Sequence, residues 1–259
     1  MEIFTLNSLP FIALATSMAI TAGLMGPFAI MRKMALASDP ISHIALPGLA
    51  FALILGINPT IGAAATLFLG AFIVWGLEKQ TGISTEAMIG IVFSVSLALG
   101  SLLTEEEHLL EVLLGSNEDV GVNQAIFGIA VAIVIVLFLL KMRERLILSI
   151  LSPELARTSG VRINRLNLMF IIAFVATILL GIHFLGVLLM GSLIIIPAAV
   201  GKNLGRSFKE MVLVSIGISI VSVILGLGIS AYFGFITGPT IILTAAAIFL
   251  ISLFKKRPE

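Results

Sequence analysis

An aspartate and a histidine stand one helical turn apart in the stretch "SDPISHIALPG", residues 38–48. If this stretch is helical, Asp39 and His43 lie on one face, about 6 Å apart along the axis. A carboxylate and an imidazole together suit Mn²⁺, Fe²⁺ or Zn²⁺ as ligands. Because ionisable side chains are costly inside a bilayer, this pair at the start of a long apolar run indicates a functional site.

The same pair also has a structural interpretation. Asp39 followed by Pro40 is typical of a helix N-cap with proline at the first helical position, as a membrane helix starting at the inner face would need. His43 would then bond to a neighbouring helix. Two ligands are too few for tight capture, which suits a transport site, because the ion must be able to leave. A second copy of the chain or another span would complete the shell.

The composition places the chain in a membrane. Of its 259 residues, 59% are hydrophobic and only 11% are charged, whereas about a quarter of a soluble domain is charged. Lipid must therefore solvate most of the surface, and we predict an all-α polytopic membrane protein. The chain has no cysteine, which excludes disulfides and thiolate metal ligands.

Nine apolar segments are long enough, or nearly so, to cross a bilayer. No Lys or Arg precedes the first, so we expect a retained span and not a cleaved signal peptide. The sixth and seventh divide one long apolar run at "GIHFLG", residues 181–186, and the second and seventh contain Pro47 and Pro197, which predicts broken or kinked helices. The segments are Ser8–Ile30, Ile41–Ile57, Pro59–Leu77, Thr85–Leu103, Val122–Leu140, Leu168–Phe184, Leu185–Val200, Met211–Ile229 and Pro239–Phe254.

The positive charges fix an orientation for these nine spans. With the N-terminus outside and the C-terminus in the cytoplasm, all 15 Lys and Arg residues fall in cytoplasmic segments. Loss of one span would destroy this separation, so the positive-inside rule favours nine spans. The residues are Arg32, Lys33, Lys79, Lys141, Arg143, Arg145, Arg157, Arg162, Arg165, Lys202, Arg206, Lys209, Lys255, Lys256 and Arg257.

The outer side carries acidic residues and a second histidine. The segment 104–121 is either a solvated loop or an entrance whose negative field concentrates cations. The candidate entrance residues are Glu105, Glu106, Glu107, His108 and Glu111. His183 lies at the predicted outer turn and is a weaker metal candidate, since a polar residue there can simply anchor the turn near the interface.

The largest cytoplasmic segment covers about residues 141–167. Within it, "SPELARTSG" predicts a short helix that Ser152 caps, with Pro153 at the first position and Gly160 at the end. Such an amphipathic helix could lie on the lipid surface or dock into a partner protein. We see one transmembrane domain, residues 1–259, that contains this segment.

Several enzymatic chemistries lack their motifs in the sequence. There is no G-x-x-x-x-G-K-[ST] phosphate loop and no H-E-x-x-H metalloprotease helix. No carboxylate lies in the middle of a predicted span, as a proton-coupled carrier would usually need. We therefore expect a transport subunit that is not an enzyme.

Four stretches resemble the permease subunits of zinc and manganese ABC importers. "GLMGPFAIMRKMALASDPISHIALPGLAFALILG" is similar to the family's glycine-rich first span followed by its R-x-M-ALxxDxxSHxxLPG block. "STEAMIGIVFSVSLALG" resembles the next conserved stretch, "SPELARTSGV" the cytoplasmic D-P-x-x-A-x-x-x-G segment, and "LGVLLMGSLIIIPAAVGKNL" the late P-A-A block. The matches occur in order and extend over nearly the whole chain.

The resemblance implies a homodimeric core in a prokaryotic plasma or inner membrane, with two cytoplasmic ATPase subunits and an extracytoplasmic metal-binding protein. Asp39 and His43 match the family's metal ligands along the pathway. Residues 154–160 match its coupling helix, which contacts the ATPase. The residues assigned to this coupling are Glu154, Ala156, Arg157 and Gly160. Ser152 replaces the family's Asp, and we expect serine to cap the helix equally. The resemblance implies no permanent cofactor, because the divalent metal is cargo and ATP binds only to the partner.

Zinc, manganese and iron all remain open as cargo, since the importers share these motifs. The rival hypothesis is a self-sufficient secondary carrier or channel for divalent cations, which would move metal without an ATPase. An intramembrane enzyme is a third class, but no nucleophile and base occur together in the sequence.

Overall fold

The computed structural model describes residues 9–103, 121–185 and 187–254, except the side chains of residues 183–185, 187 and 188. All regular structure in this part of the chain is helical, and it contains no strand. The helices are α1 (Leu9–Met31), α2 (Ser38–His43), α3 (Leu46–Ile54), α4 (Pro59–Thr81), α5 (Thr85–Leu103), α6 (Val122–Leu151), α7 (Pro153–Thr158), α8 (Ile163–Leu185), α9 (Val187–Leu204), α10 (Phe208–Phe233) and α11 (Thr237–Leu253).

Seven of the described helical segments are long and apolar enough to cross a membrane, counting residues 35–54 as one segment. Two shorter apolar helices, Leu189–Leu204 and Thr237–Leu253, accompany them. The prediction of an all-helical membrane protein is therefore confirmed. Helix α5 has the predicted bounds, and α4 begins at the predicted Pro59, where Asn58 accepts a hydrogen bond from the backbone N–H of Thr60.

Helix α1 lies at the centre of the bundle. It packs against α6, α9 and α10, and thirteen of its residues are buried. The buried stretch includes glycines that allow close approach: a Cβ at Gly23 would lie 2.8 Å from the Cα of Ile216 in α10. Small residues take this role in membrane proteins because helices surrounded by lipid gain stability mainly from tight packing.

Two segments differ most clearly from their predicted form. The second predicted span is broken, as its proline suggested, into α2 and α3 around Ile44 and Ala45, whereas α9 continues through Pro197. Helix α6 runs to Leu151, eleven residues beyond the predicted end at Leu140. The stretch Lys141–Leu151 extends the helix because it contains strong helix formers and neither glycine nor proline.

Candidate functional site

Asp39 and His43 both lie on α2, and their side chains approach each other. The His43 Nε2 atom is 3.9 Å from the Asp39 Oδ1 atom. Two ligands each about 2.1 Å from a tetrahedral ion stand about 3.4 Å apart, so a side-chain shift of about 0.5 Å would let the pair hold one ion. The prediction that the two side chains share one helix face is confirmed.

The interpretation of Asp39 as a helix cap is wrong. The N-cap of α2 is Ala37, and no side chain caps this helix; Asp39 already lies within its first turn. A 3₁₀ turn, Ala35–Ala37, leads directly into α2, so the helix needs no side-chain cap where Asp39 stands. The carboxylate is thus left available for another partner.

The pair lies close to the middle of α4, one of the long helices of the bundle. Ile44, next to His43, packs against Gly70, where a Cβ would lie 2.8 Å from Ile44 Cγ2. Gly70 is the middle residue of α4, which at 1.5 Å per residue is about 34 Å long. The Asp39–His43 pair therefore stands beside the middle of a membrane-length helix.

Close helix contacts hold the backbone of this motif. The Ser38 hydroxyl donates to the Gly191 carbonyl of α9 at 3.5 Å, and the Ser42 hydroxyl donates to the Asp39 carbonyl at 2.8 Å. After the break, a Cβ at Gly48 in α3 would collide with the carbonyl oxygen of Gly62 in α4. The glycine contact keeps α3 against α4, Ser38 holds α2 against α9, and Ser42 bonds within α2.

The two ligand side chains have unequal surroundings. Asp39 is 59% exposed, whereas His43 is 20% exposed and packs against the ring of Phe93 at 5.7 Å between centroids. The His43 Nδ1 atom is buried with no hydrogen-bond partner in the described structure. The histidine is therefore held by packing, while the carboxylate is open on one side.

The described residues contain no group of three or more His, Asp or Glu side chains that could hold a metal. Asp39 and His43 could therefore supply at most two ligands of a metal site within the described residues. His183 has its backbone in α8, but its side chain lies outside the described residues. The candidate entrance residues Glu105, Glu106, Glu107, His108 and Glu111 also lie outside them.

The predicted cytoplasmic helix is present as α7. Ser152 occupies its N-cap position, as expected, but its hydroxyl makes no cap bond. The helix ends at Thr158, and Gly160 follows the C-cap as the predicted terminating glycine, with a φ of +79° that suits glycine. The backbone N–H of Val161 donates to the Ala156 carbonyl at 2.9 Å. This is the bond pattern of a glycine-terminated helix.

Only one of the predicted coupling residues is buried. Ala156 is fully buried where α7 packs against α6 and α8. Glu154, Arg157 and Gly160 are exposed. A single small side chain thus fixes α7 to the bundle, and the charged side chains face outward, where a partner could contact them.

The structure reveals one residue that sequence reasoning used only as a topology marker. The Arg32 guanidinium donates to Asn167 Oδ1 at 2.9 Å and to Ser149 Oγ at 3.4 Å, and it stacks 4.4 Å from the centroid of the Phe170 ring. Burial lowers the pKa of Arg32 to about 10, with Glu78 opposing that shift through its negative charge. The available signal was the arginine of the R-x-M pattern just before the metal motif.

Comparison with known proteins gives the family. The model of the ABC 3 transport family matches residues 7–256. The chain belongs to the ABC 3 transport family. It is a membrane transport subunit of the ABC type.

Curated relatives and a solved structure agree with this assignment. The chain is 35% identical over 244 residues to the high-affinity zinc uptake system membrane protein ZnuB of Haemophilus influenzae, covering 92% of each chain. It is 34% identical to the manganese import system permease protein ScaB of Streptococcus gordonii, covering 93% of this chain and 88% of the relative. It is also similar to the structure of PsaBC from Streptococcus pneumoniae in complex with Fab, with a TM-score of 0.83, 29% identity, and coverage of 98% of this chain and 93% of that one.

Proposed function

We propose that this ABC 3 family subunit moves Zn²⁺ or Mn²⁺ into the cytoplasm, with Asp39 and His43 as ligands along the pathway and separate ATPase subunits as the energy source. The observation that carries the proposal is an open carboxylate 3.9 Å from an imidazole nitrogen, near mid-depth of the bundle. A pair with so few ligands binds a divalent ion weakly enough to release it, which a transport site requires.

A second copy of the chain completes this site. Asp39 is 59% exposed in one subunit, and a carboxylate that faced lipid at this depth would be costly. A homodimer covers Asp39 and brings a second Asp39–His43 pair to the same pathway. This supports a homodimeric core surrounded by lipid.

The partners outside the membrane follow from the ends of the helices. Helix α7 presents Glu154 and Arg157 outward, and we assign it as the coupling helix that docks into a cytoplasmic ATPase. An extracytoplasmic metal-binding protein delivers the ion, and the acidic segment 104–121 concentrates cations at the entrance. The location is the plasma or inner membrane of a prokaryote.

We assign nine crossings, with the N-terminus outside and the C-terminus in the cytoplasm. Seven candidate spans and two shorter apolar helices supply nine segments, and only this arrangement puts every Lys and Arg on one side. The test uses Gly121→Cys and Gly160→Cys in a chain without native cysteine. An impermeant thiol reagent added outside should label the first and not the second, and labelling of both would overturn the topology.

The transport function is tested by uptake into vesicles that contain this chain, its ATPase and its binding protein. We expect ATP-dependent uptake of Zn²⁺ or Mn²⁺, with the favoured ion named by direct competition. Asp39→Ala and His43→Ala should abolish uptake while membrane insertion and ATPase assembly remain intact. Uptake by this chain alone without ATP would favour a secondary carrier or channel instead.

A further inference from the structure

Arg32 joins three parts of the fold at one end of the bundle. It follows the last residue of α1, donates to Ser149 near the end of α6 and to Asn167 near the start of α8, and stacks on Phe170 of α8. Helices α6 and α8 are the two that directly flank α7 in the chain and pack against it. Arg32 is therefore bound to both supports of the proposed coupling helix.

The chain between Arg32 and the metal motif is short and well packed. Lys33 has a φ of +60°, the only positive value of a non-glycine residue in the described ranges. The turn is closed by backbone bonds, from the N–H of Lys33 to the Ile30 carbonyl and from the N–H of Met34 to the Ala29 carbonyl. Met34 is 2% exposed and packs into the core.

After Met34 the backbone is helical without interruption up to His43, first as the 3₁₀ turn and then as α2. Ser38 in this stretch is fully buried. The connection from Arg32 to α2 thus consists of one closed turn and continuous helix, with no long loop through which movement at Arg32 would be lost. The distance in sequence from Arg32 to Asp39 is only two helical turns.

The Arg32 guanidinium carries its charge in desolvated surroundings. Desolvation is the larger influence on the guanidinium, and it disfavours the charged form. Two buried atoms in the same neighbourhood, Arg32 Nε and Glu78 Oε2, have no hydrogen-bond partner. They carry opposite charges, but no ion pair joins them in this conformation. Glu78 already acts on the Arg32 charge through its own negative charge, and a rearrangement that brought the two atoms together would satisfy both.

We infer that Arg32 is a positioning residue that transmits movement of the coupling helix to the Asp39–His43 pair, exchanging its contacts with Ser149 and Asn167 for Glu78 during the transport cycle. The inference rests on the proposed function. It assigns Arg32 no contact with the metal. Its role is to link ATP-driven movement at α7 to the geometry of the site.

The test compares Arg32→Lys with wild type in the reconstituted transporter, measuring ATP hydrolysis and metal uptake on the same samples. Lysine keeps the positive charge but lacks the planar fork and the stacking surface of arginine. We expect metal ions moved per ATP hydrolysed to fall at least about tenfold, in the range of typical coupling between sites. Metal binding by the permease without ATP should stay within about twofold of wild type, since the ligands are untouched.

Three further variants sharpen the test. Arg143→Lys is the matched control, because Arg143 lies on the same end of α6 but is exposed and pairs only with its neighbour Glu144; it should behave as wild type. Asn167→Ala should uncouple in the same way as Arg32→Lys, and the double variant should be no worse than the single ones. Glu78→Gln should lower the same ratio, because the alternate partner loses its charge.

The outcomes separate this inference from the proposed function. A wild-type ratio of uptake to hydrolysis in Arg32→Lys overturns the inference while wild-type transport still stands. Loss of metal binding by Arg32→Lys, as large as in Asp39→Ala, would show that Arg32 only maintains the local fold, and also overturns it. If wild type itself moves metal without ATP, the proposed function fails and the coupling role fails with it.

Discussion

Arg32 and Asp39 are two charged residues only seven positions apart, but their surroundings differ: other helices enclose the first side chain, and the second is largely exposed. Arg32 is enclosed by side chains of Ser149, Asn167 and Phe170 from two other helices. Asp39 has a single ionisable neighbour at 3.9 Å, His43 on its own helix, and is 59% exposed. One charge has its partners already, and the other is open to receive one.

The difference follows from what each position must do. A ligand in a transport pathway must be free to take up and release an ion, so strong protein partners for Asp39 would compete with the cargo. A residue that transmits movement needs the reverse, contacts to several elements that shift as units. The short connection between them lets movement at the enclosed Arg32 change the position of the exposed Asp39.

Removing the open carboxylate should give the largest effect. We expect Asp39→Asn to reduce metal uptake by at least about a hundredfold. Loss of a residue that only hydrogen-bonds to a metal ligand can cost 10- to 100-fold in metal affinity, and Asp39 is proposed to bind the metal directly. Asparagine keeps the shape and lacks the charge. Uptake of radioactive or dye-detected metal into vesicles measures it.

The matched control for Asp39 is Glu86→Gln. Glu86 is also a carboxylate in the first turn of a helix, α5, and it is exposed. We expect near wild-type uptake from this variant. Equal losses in both variants would mean that negative charge in general, and not the Asp39–His43 pair, attracts the cation.

An added side chain at the contact between α3 and α4 should give the next largest effect. Gly62→Ala would drive a Cβ into the Gly48 carbonyl of α3 and should destabilise the protein by about 1–3 kcal/mol. We expect a lower melting temperature in detergent and weaker uptake. Gly76→Ala on the same helix is the control, since its Cβ would meet nothing within 4 Å, and a similar loss there would contradict the contact.

The outward charges of α7 should give a smaller, selective effect. Replacing Glu154 and Arg157 together by alanine leaves the buried Ala156 contact in place, so α7 should stay folded. We expect ATPase assembly to weaken, or hydrolysis to uncouple from uptake, by a factor of about 5 to 10, as typical for coupling between distant sites. Co-purification of the ATPase and the ratio of uptake to hydrolysis measure this, and normal values for both would place the docking surface elsewhere.

Local signals in the sequence predicted the helices well, and also the closeness of Asp39 and His43. Pro59 after Asn58 marked the start of α4, and Gly160 marked the end of α7, because cap and turn chemistry acts within a few residues. The spacing of Asp39 and His43 placed both on one face for the same reason.

Long-range packing could not be predicted in this way. Asp39 looked like a cap because Asp-Pro starts many helices, yet the preceding residues were already helical. The depth of the site depends on which residue of α4 meets Ile44, and the role of Arg32 depends on Asn167, 135 positions away. No local pattern encodes such contacts without a structure.

The smallest expected effect is the change in melting temperature when Arg32 loses its charge. It distinguishes a residue that transmits movement from one that only stabilises the fold. Burial lowers the pKa of Arg32 to about 10, below its ordinary value, so the unfolded chain binds this proton more strongly than the folded one. The charge therefore opposes folding at neutral pH, and this cost disappears only as the pH rises above about 10. Arg32→Met keeps the stem and removes the charge; the relief of desolvation offsets the loss of the bonds to Asn167 and Ser149, so its melting temperature in detergent at pH 7 should stay close to that of wild type. Coupled uptake should fall at the same time. If Arg32 is a positioning residue, the Met variant should lose coupled uptake without losing stability. A Met variant that melts several degrees lower would show that Arg32 mainly stabilises the fold.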